Sequence, residues 1–111
     1  MESRKLRIKG ENIKEIVHLL SSDIQNSKLQ PAENIHILIS EKYYFRTNSQ
    51  LMACLILKIE DENNCVIDIV AGGGGQGLLD STWGAEKKRV KEIVDEIEKI
   101  CEHRGWEIVC Y

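Results

Sequence analysis

The sequence predicts an α+β fold: two helices on one face of a mainly antiparallel sheet, two layers, in the order β-α-β-β-β-α-β. Two segments, one early and one late, carry apolar residues at helical spacing. Between them lie runs that are alternately or continuously apolar, divided by turn residues. A last short apolar run follows the second helix. With 111 residues the chain is expected to form a single domain, 1–111, large enough for an ordinary core.

Leu6 to Lys9 is a short first strand. Lys5, Arg7 and Lys9 share one of its faces, a basic decoration of the kind that protects an edge strand. Gly10 ends it. Asn12 with Glu15 three residues on resembles a capping box, and Ile13, Ile16, Val17, Leu20 and Ile24 then recur at helical spacing. Pro31, the chain's only proline, falls in the connection that follows. Ile35, Ile37 and Ile39 alternate with His36, Leu38 and Ser40 in a strand, which Tyr43 to Arg46 either continue or follow as a strand of their own. Leu51 to Ile59 is apolar on both faces up to Ile56, which marks a central strand. Cys65 to Ala71 is the next strand. A long helix from Trp83 or Gly84 to Arg104 follows, with Val90, Ile93, Val94, Ile97, Ile100 and Cys101 as its stripe. Asp80, Ser81 and Thr82 are N-cap candidates, and Gly105 suits its C-terminal end. Trp106 to Tyr111 is the last strand.

The chain is 42% hydrophobic and 30% charged, with net charge −3, a balance that argues against a general nucleic-acid binder. Residues 1–59 carry nine Lys/Arg against six Asp/Glu, and residues 60–111 six against twelve. No run approaches the roughly 20 apolar residues of a membrane span. The N-terminus has no apolar signal core, so a cytoplasmic protein is expected. Cys54, Cys65, Cys101 and Cys110 form no close CxxC pair and are expected as reduced, small buried hydrophobes.

The segment that looks like a site is Gly72-Gly73-Gly74-Gly75-Gln76-Gly77, with five of the chain's eight glycines. Glycine lacks a Cβ, reaches backbone angles closed to other residues, and lets another molecule approach the main chain. The run matches the dinucleotide fingerprint as a string, but no βαβ unit with its acidic residue follows. The glycine spacing of a P-loop is present, yet Leu78 and Leu79 stand where Lys and Ser/Thr are required. What remains is an anion-binding concavity of main-chain N–H groups beside a helix N-terminus. Lys87, Lys88 and Arg89 fall in the first turns of that helix, and Trp83 flanks the glycines, placed either to stack on a ligand or to anchor the loop. The competing interpretation is that Glu86 satisfies the helix start and the glycines form a flexible crossover.

No nucleophile–base pair or metal set is apparent, so no catalytic residue, metal or cofactor is assigned. His18, His36 and His103 read as structural or solvated, and Asp68 and Glu41 as carboxylates on apolar strand faces. The run from Ala71 through the glycines, Leu78, Leu79, Asp80, Ser81, Thr82, Trp83, Gly84 and Ala85 to Glu86, followed by a basic amphipathic helix, resembles a family of small bacterial proteins of unknown function. The resemblance implies a single-domain bacterial cytoplasmic protein and marks the glycine loop, without adding chemistry.

Two functions are therefore expected. One is a binding module that holds an anionic, phosphate-bearing small molecule at Gly72–Gly77, Trp83, Lys87 and Lys88. The other is a non-enzymatic protein-interaction or self-associating domain, a possible homo-oligomer. Neither nucleic acid nor a membrane is expected as partner.

Overall fold

The computed structural model of the chain describes residues 2–23, 27–44, 49–73 and 80–111, the side chains of 23, 44, 49 and 80–84 excepted. The elements run Glu2–Lys9 (β1), Glu15–Asp23 (α1), Ser27–Ala32 (β2), Ile35–Tyr44 (β3), Ser49–Asp61 (β4), Asn64–Gly73 (β5), Asp80–Arg104 (α2) and Glu107–Cys110 (β6). The six strands form one antiparallel sheet in the order β2-β3-β4-β5-β1-β6. The α+β architecture and the succession of strands and helices are those expected from the sequence, with β2 as a fourth strand between the two helices.

The topology dictates where the helices go. Because every neighbour is antiparallel, β5 and β6, which flank β1, run the same way. Parallel strands need a crossover, and α2 supplies it. β1 and β2 also run the same way, and α1 joins them across the sheet. The two crossovers start on strands of opposite direction and move in opposite directions along the sheet. The right-handed rule for such connections therefore puts both helices on the same face. The core agrees: Ile13 in the turn before α1, Ile16 and Leu20 of α1, and Val90, Ile93, Ile97 and Cys101 of α2 pack with Leu6, Ile8, Leu38, Leu55, Leu57, Ile67 and Ile69. Burying a side chain of this size contributes about 1.5–3 kcal/mol.

Three local readings are corrected. β1 is not an edge strand. It lies between β5 and β6, and two of its basic residues find carboxylates on the sheet, Lys5 Nζ 3.7 Å from Asp68 on β5 and Arg7 Nη1 2.5 Å from Glu60 on β4. The segment around Pro31 is an edge strand rather than a plain connection. Proline is tolerated there because an edge strand has an unpaired side, and the register with β3 shifts between Leu29 and Ala32. Asn12 does not cap α1 through a capping box. Its φ of 56° is the left-handed region that asparagine tolerates, its carbonyl accepts from Glu15 N–H at 3.1 Å, and the Glu15 carboxylate pairs with Arg104.

The end of α2 forms as the sequence signals. Gly105 has φ 72°, its N–H donates to Glu102 O at 3.4 Å, and Trp106 N–H donates to Cys101 O at 2.8 Å, the paired bonds of a Schellman cap. Trp106 is buried, donates from Nε1 to Glu11 O at 2.8 Å, and so fixes β6 against the start of the chain. β4, read as central, is flanked by β3 and β5.

Candidate functional site

Gly72 and Gly73 are the last residues of β5, opposite Met52 and Leu51 of β4. A Cβ at Gly73 would lie 2.2 Å from Leu51 Cδ2, so any larger residue there requires the Leu51 side chain to shift. The Gly73 N–H donates to Glu86 Oε2 at 3.1 Å, and Glu86 is buried. The start of the glycine run is thus tied to α2 through a carboxylate. Two further polar links lie at the same end of the sheet. Arg89 Nη2 donates to the buried Ser40 Oγ at 2.8 Å, and Lys42 Nζ is 2.8 Å from Glu92 Oε2. Together they form a polar layer between β3, β5 and α2, and no local pattern in the sequence signals that these partners meet.

Gly74, Gly75, Gln76 and Gly77 lie outside the described residues, as does the side chain of Trp83, which falls on the fourth residue of α2. α2 begins at Asp80, earlier than the sequence indicated, so Lys87 and Lys88 are its eighth and ninth residues and are exposed. They lie beyond the first turn, where a helix dipole acts. The structure brings Gly73 to Glu86 and leaves Lys87 and Lys88 facing solvent.

The second feature is the sheet face opposite the helices. Strand residues alternate between faces, and directly opposed residues share one. Ile35, Ile37 and Ile39 of β3 therefore share this face with Met52, Cys54 and Ile56 of β4, Val66 and Val70 of β5, and Leu29 of β2. Leu29 and Met52 are 55% and 51% exposed, the others partly so. Among the described residues nothing covers them. Polar groups surround this band. Among the described residues Lys5, Arg7, Lys9 and Lys58 mingle here with Glu41, Glu60, Asp61, Asp68 and Glu107, so that the two signs nearly balance. Two shallow hollows open here, of about 540 Å³ beside Arg7, Ile56 and Tyr111 and about 650 Å³ beside Met52, Cys54 and Val70. The signal was present in the sequence, in the two-faced apolarity of Leu51 to Ile56 and in Val66 and Val70 flanking Asp68.

His36 faces the helix side, beside Leu57, in a cleft of about 570 Å³ with Lys14, Val17, Glu33 and Ile59. Its Nδ1 is buried without a hydrogen-bond partner. Burial, aided by Lys28, holds its pKa below the usual 6.5. The folded protein therefore binds this proton less readily than the unfolded chain, and stability falls as pH drops below about 6.5. Above that value the group contributes no slope. His36→Leu is expected to flatten urea-measured stability between pH 7.5 and 5.5; an unchanged slope would refute this assignment.

The cysteines divide. Burial pushes the Cys65 thiol up to about 12, with Glu60 and Cys101 adding to the rise. Burial, then Glu98, takes Cys101 to about 11. Both behave as the small hydrophobes expected. Cys54 is partly buried on the open face, where burial raises its pKa, and Cys110 is exposed, contrary to expectation, because β6 is a short edge strand. All four are free thiols. Among the described residues there is no group of three or more His, Cys, Asp or Glu placed to hold a metal ion. No helix among them is long and apolar enough to cross a membrane.

A family model, the family of unknown function DUF6054, matches residues 1–101. Comparison with curated proteins and with solved structures returns no match.

Proposed function

We propose that this chain, which belongs to the family of unknown function DUF6054, is a protein-interaction domain of the cytoplasm whose contact surface is the open face of its sheet. One observation carries the reading. The sheet has two apolar faces, and the topology sends both helices to one of them. A contiguous apolar patch left on a small protein marks a contact surface. The test is a charge on that face. Ile56→Lys leaves the isolated protein folded, because the new ammonium stays in water opposite Asp68. A variant that unfolds has its face covered from within, and the reading falls.

A second reading retains an anionic, phosphate-bearing small molecule at the glycine run, Trp83, Lys87 and Lys88. It is supported by the cations Lys87, Lys88 and Arg89 on the helix beside Gly72 and Gly73. Glu86 opposes it, since its carboxylate already accepts the Gly73 N–H. A phosphate-bearing ligand at a hundred times its Kd stabilises a folded protein by about 2.7 kcal/mol. Such a ligand is expected to raise the melting temperature of the wild type, and Lys88→Glu to remove the rise without altering the unliganded value. A flat response across nucleotides, sugar phosphates and coenzyme A rejects this reading.

A further inference from the structure

We infer that the occupant of the open sheet face is a second copy of this chain, packed sheet to sheet in a homodimer. This rests on the interaction reading and names the partner.

Size is the first argument. β3, β4 and β5 have 10, 13 and 10 residues, and β2 extends the apolar band to a fourth strand. Strands about 4.8 Å apart at about 3.3 Å per residue, three of them about ten residues long and β2 six, present on the order of 550 Å² in projection. Side-chain relief takes the accessible area toward the ~800 Å² per partner of a standard interface. A helix, about 10 Å wide, covers only some two strands of this band. A second sheet covers all four, with the aliphatic side chains interdigitating across about 10 Å.

Charge is the second argument. The chain as a whole carries −3, but among the described residues its open face holds four cations and five anions, close to balance. An acidic or a basic partner finds little net field there. A second copy meets the same nearly balanced surface and suffers little net repulsion. Two of the cations already have partners within the chain, Lys5 on Asp68 and Arg7 on Glu60, so the rim enters the contact compensated.

The experiment is sedimentation of the full chain from about 1 to 100 micromolar, a range that detects dimers of ordinary affinity. Wild type is compared with Ile56→Lys, with Met52→Lys, and with Lys99→Glu on the helix side as control. Met52 is half exposed, so its replacement does not threaten the fold. The expected result is a dimeric wild type and control, with Met52→Lys and Ile56→Lys folded by circular dichroism and their dimer dissociation constants raised at least tenfold. A dimer indifferent to both face variants overturns the inference. A monomeric wild type with a folded Ile56→Lys overturns the dimer but leaves the interaction reading to a different partner. A monomeric wild type with an unfolded Ile56→Lys overturns both.

Discussion

Leu55→Lys is expected to abolish folding, while Ile56→Lys, one residue on, leaves a folded protein. The two side chains are of equal size and lie on the same strand. Leu55 is fully buried beneath the helices, and Ile56 lies on the open face. An amine forced into the helix-side core must lose its proton or its water, at a cost of several kcal/mol, and together with the lost packing of Leu55 this rivals the 5–15 kcal/mol that holds a typical domain together. At Ile56 the same group keeps its water, so the expected change is within about 1 kcal/mol. A milder pair gives numbers that can be measured. Leu55→Ala costs about 2–5 kcal/mol through lost transfer energy and the cavity it leaves. For a domain of this size that is a drop on the order of 15 °C in melting temperature. Ile56→Ala is expected to fall by a third of that or less. Thermal unfolding followed by circular dichroism, at protein concentrations where the chain sediments as a monomer, decides it. Equal effects at the two positions mean that both faces of the sheet are buried.

Gly10→Ala is the second large effect. A Cβ at Gly10 would lie 1.9 Å from Trp106 Cδ1 and 2.6 Å from Cγ, closer than atoms can approach. Neither partner is free to move. Gly10 N–H donates to Asn63 O at 2.9 Å, and Trp106 is held by its Nε1 bond to Glu11 and by the cap of α2. Overpacking of this kind costs about 1–3 kcal/mol, and more where the neighbour cannot yield. Gly105→Ala is the internal comparison, since nothing lies within 4 Å of that position and only its φ of 72° is strained. Its cost is about 1–2 kcal/mol, the ordinary penalty of a left-handed residue. Trp106→Leu in the Gly10→Ala background removes the clash, so the double variant should be less destabilised than the two single costs added together. Additive costs, or a Gly10→Ala variant as stable as wild type, would show that the ring and the glycine are not in contact.

Gly10 also shows where sequence reading stops. As a strand terminator it was legible, but the contact that requires glycine joins residues 96 positions apart in numbers that no periodicity relates. The same holds for the polar layer at the other end of the sheet. Glu86 was legible as a candidate for the helix start, whereas its acceptance of the Gly73 N–H depends on how α2 crosses β5. Lys42 with Glu92 and Arg89 with Ser40 are products of that same crossing.

Local pattern by itself determined the elements: helical periodicity in 13–20 and 90–101, two-faced apolarity in 51–56, and a glycine cap at 105. These depend on interactions within a few residues, which a sequence displays directly. Strand order was decided only by the tertiary structure. Basic alternation placed β1 at an edge, but hydrogen bonding to β5 and β6 puts it inside, because charged residues on an open face cost little in water. Which apolar face receives the helices was also a tertiary decision. Ile35, Ile37 and Ile39 match Leu51, Leu55 and Leu57 in hydrophobicity, yet the handedness of two crossovers covers the leucines and leaves the isoleucines open.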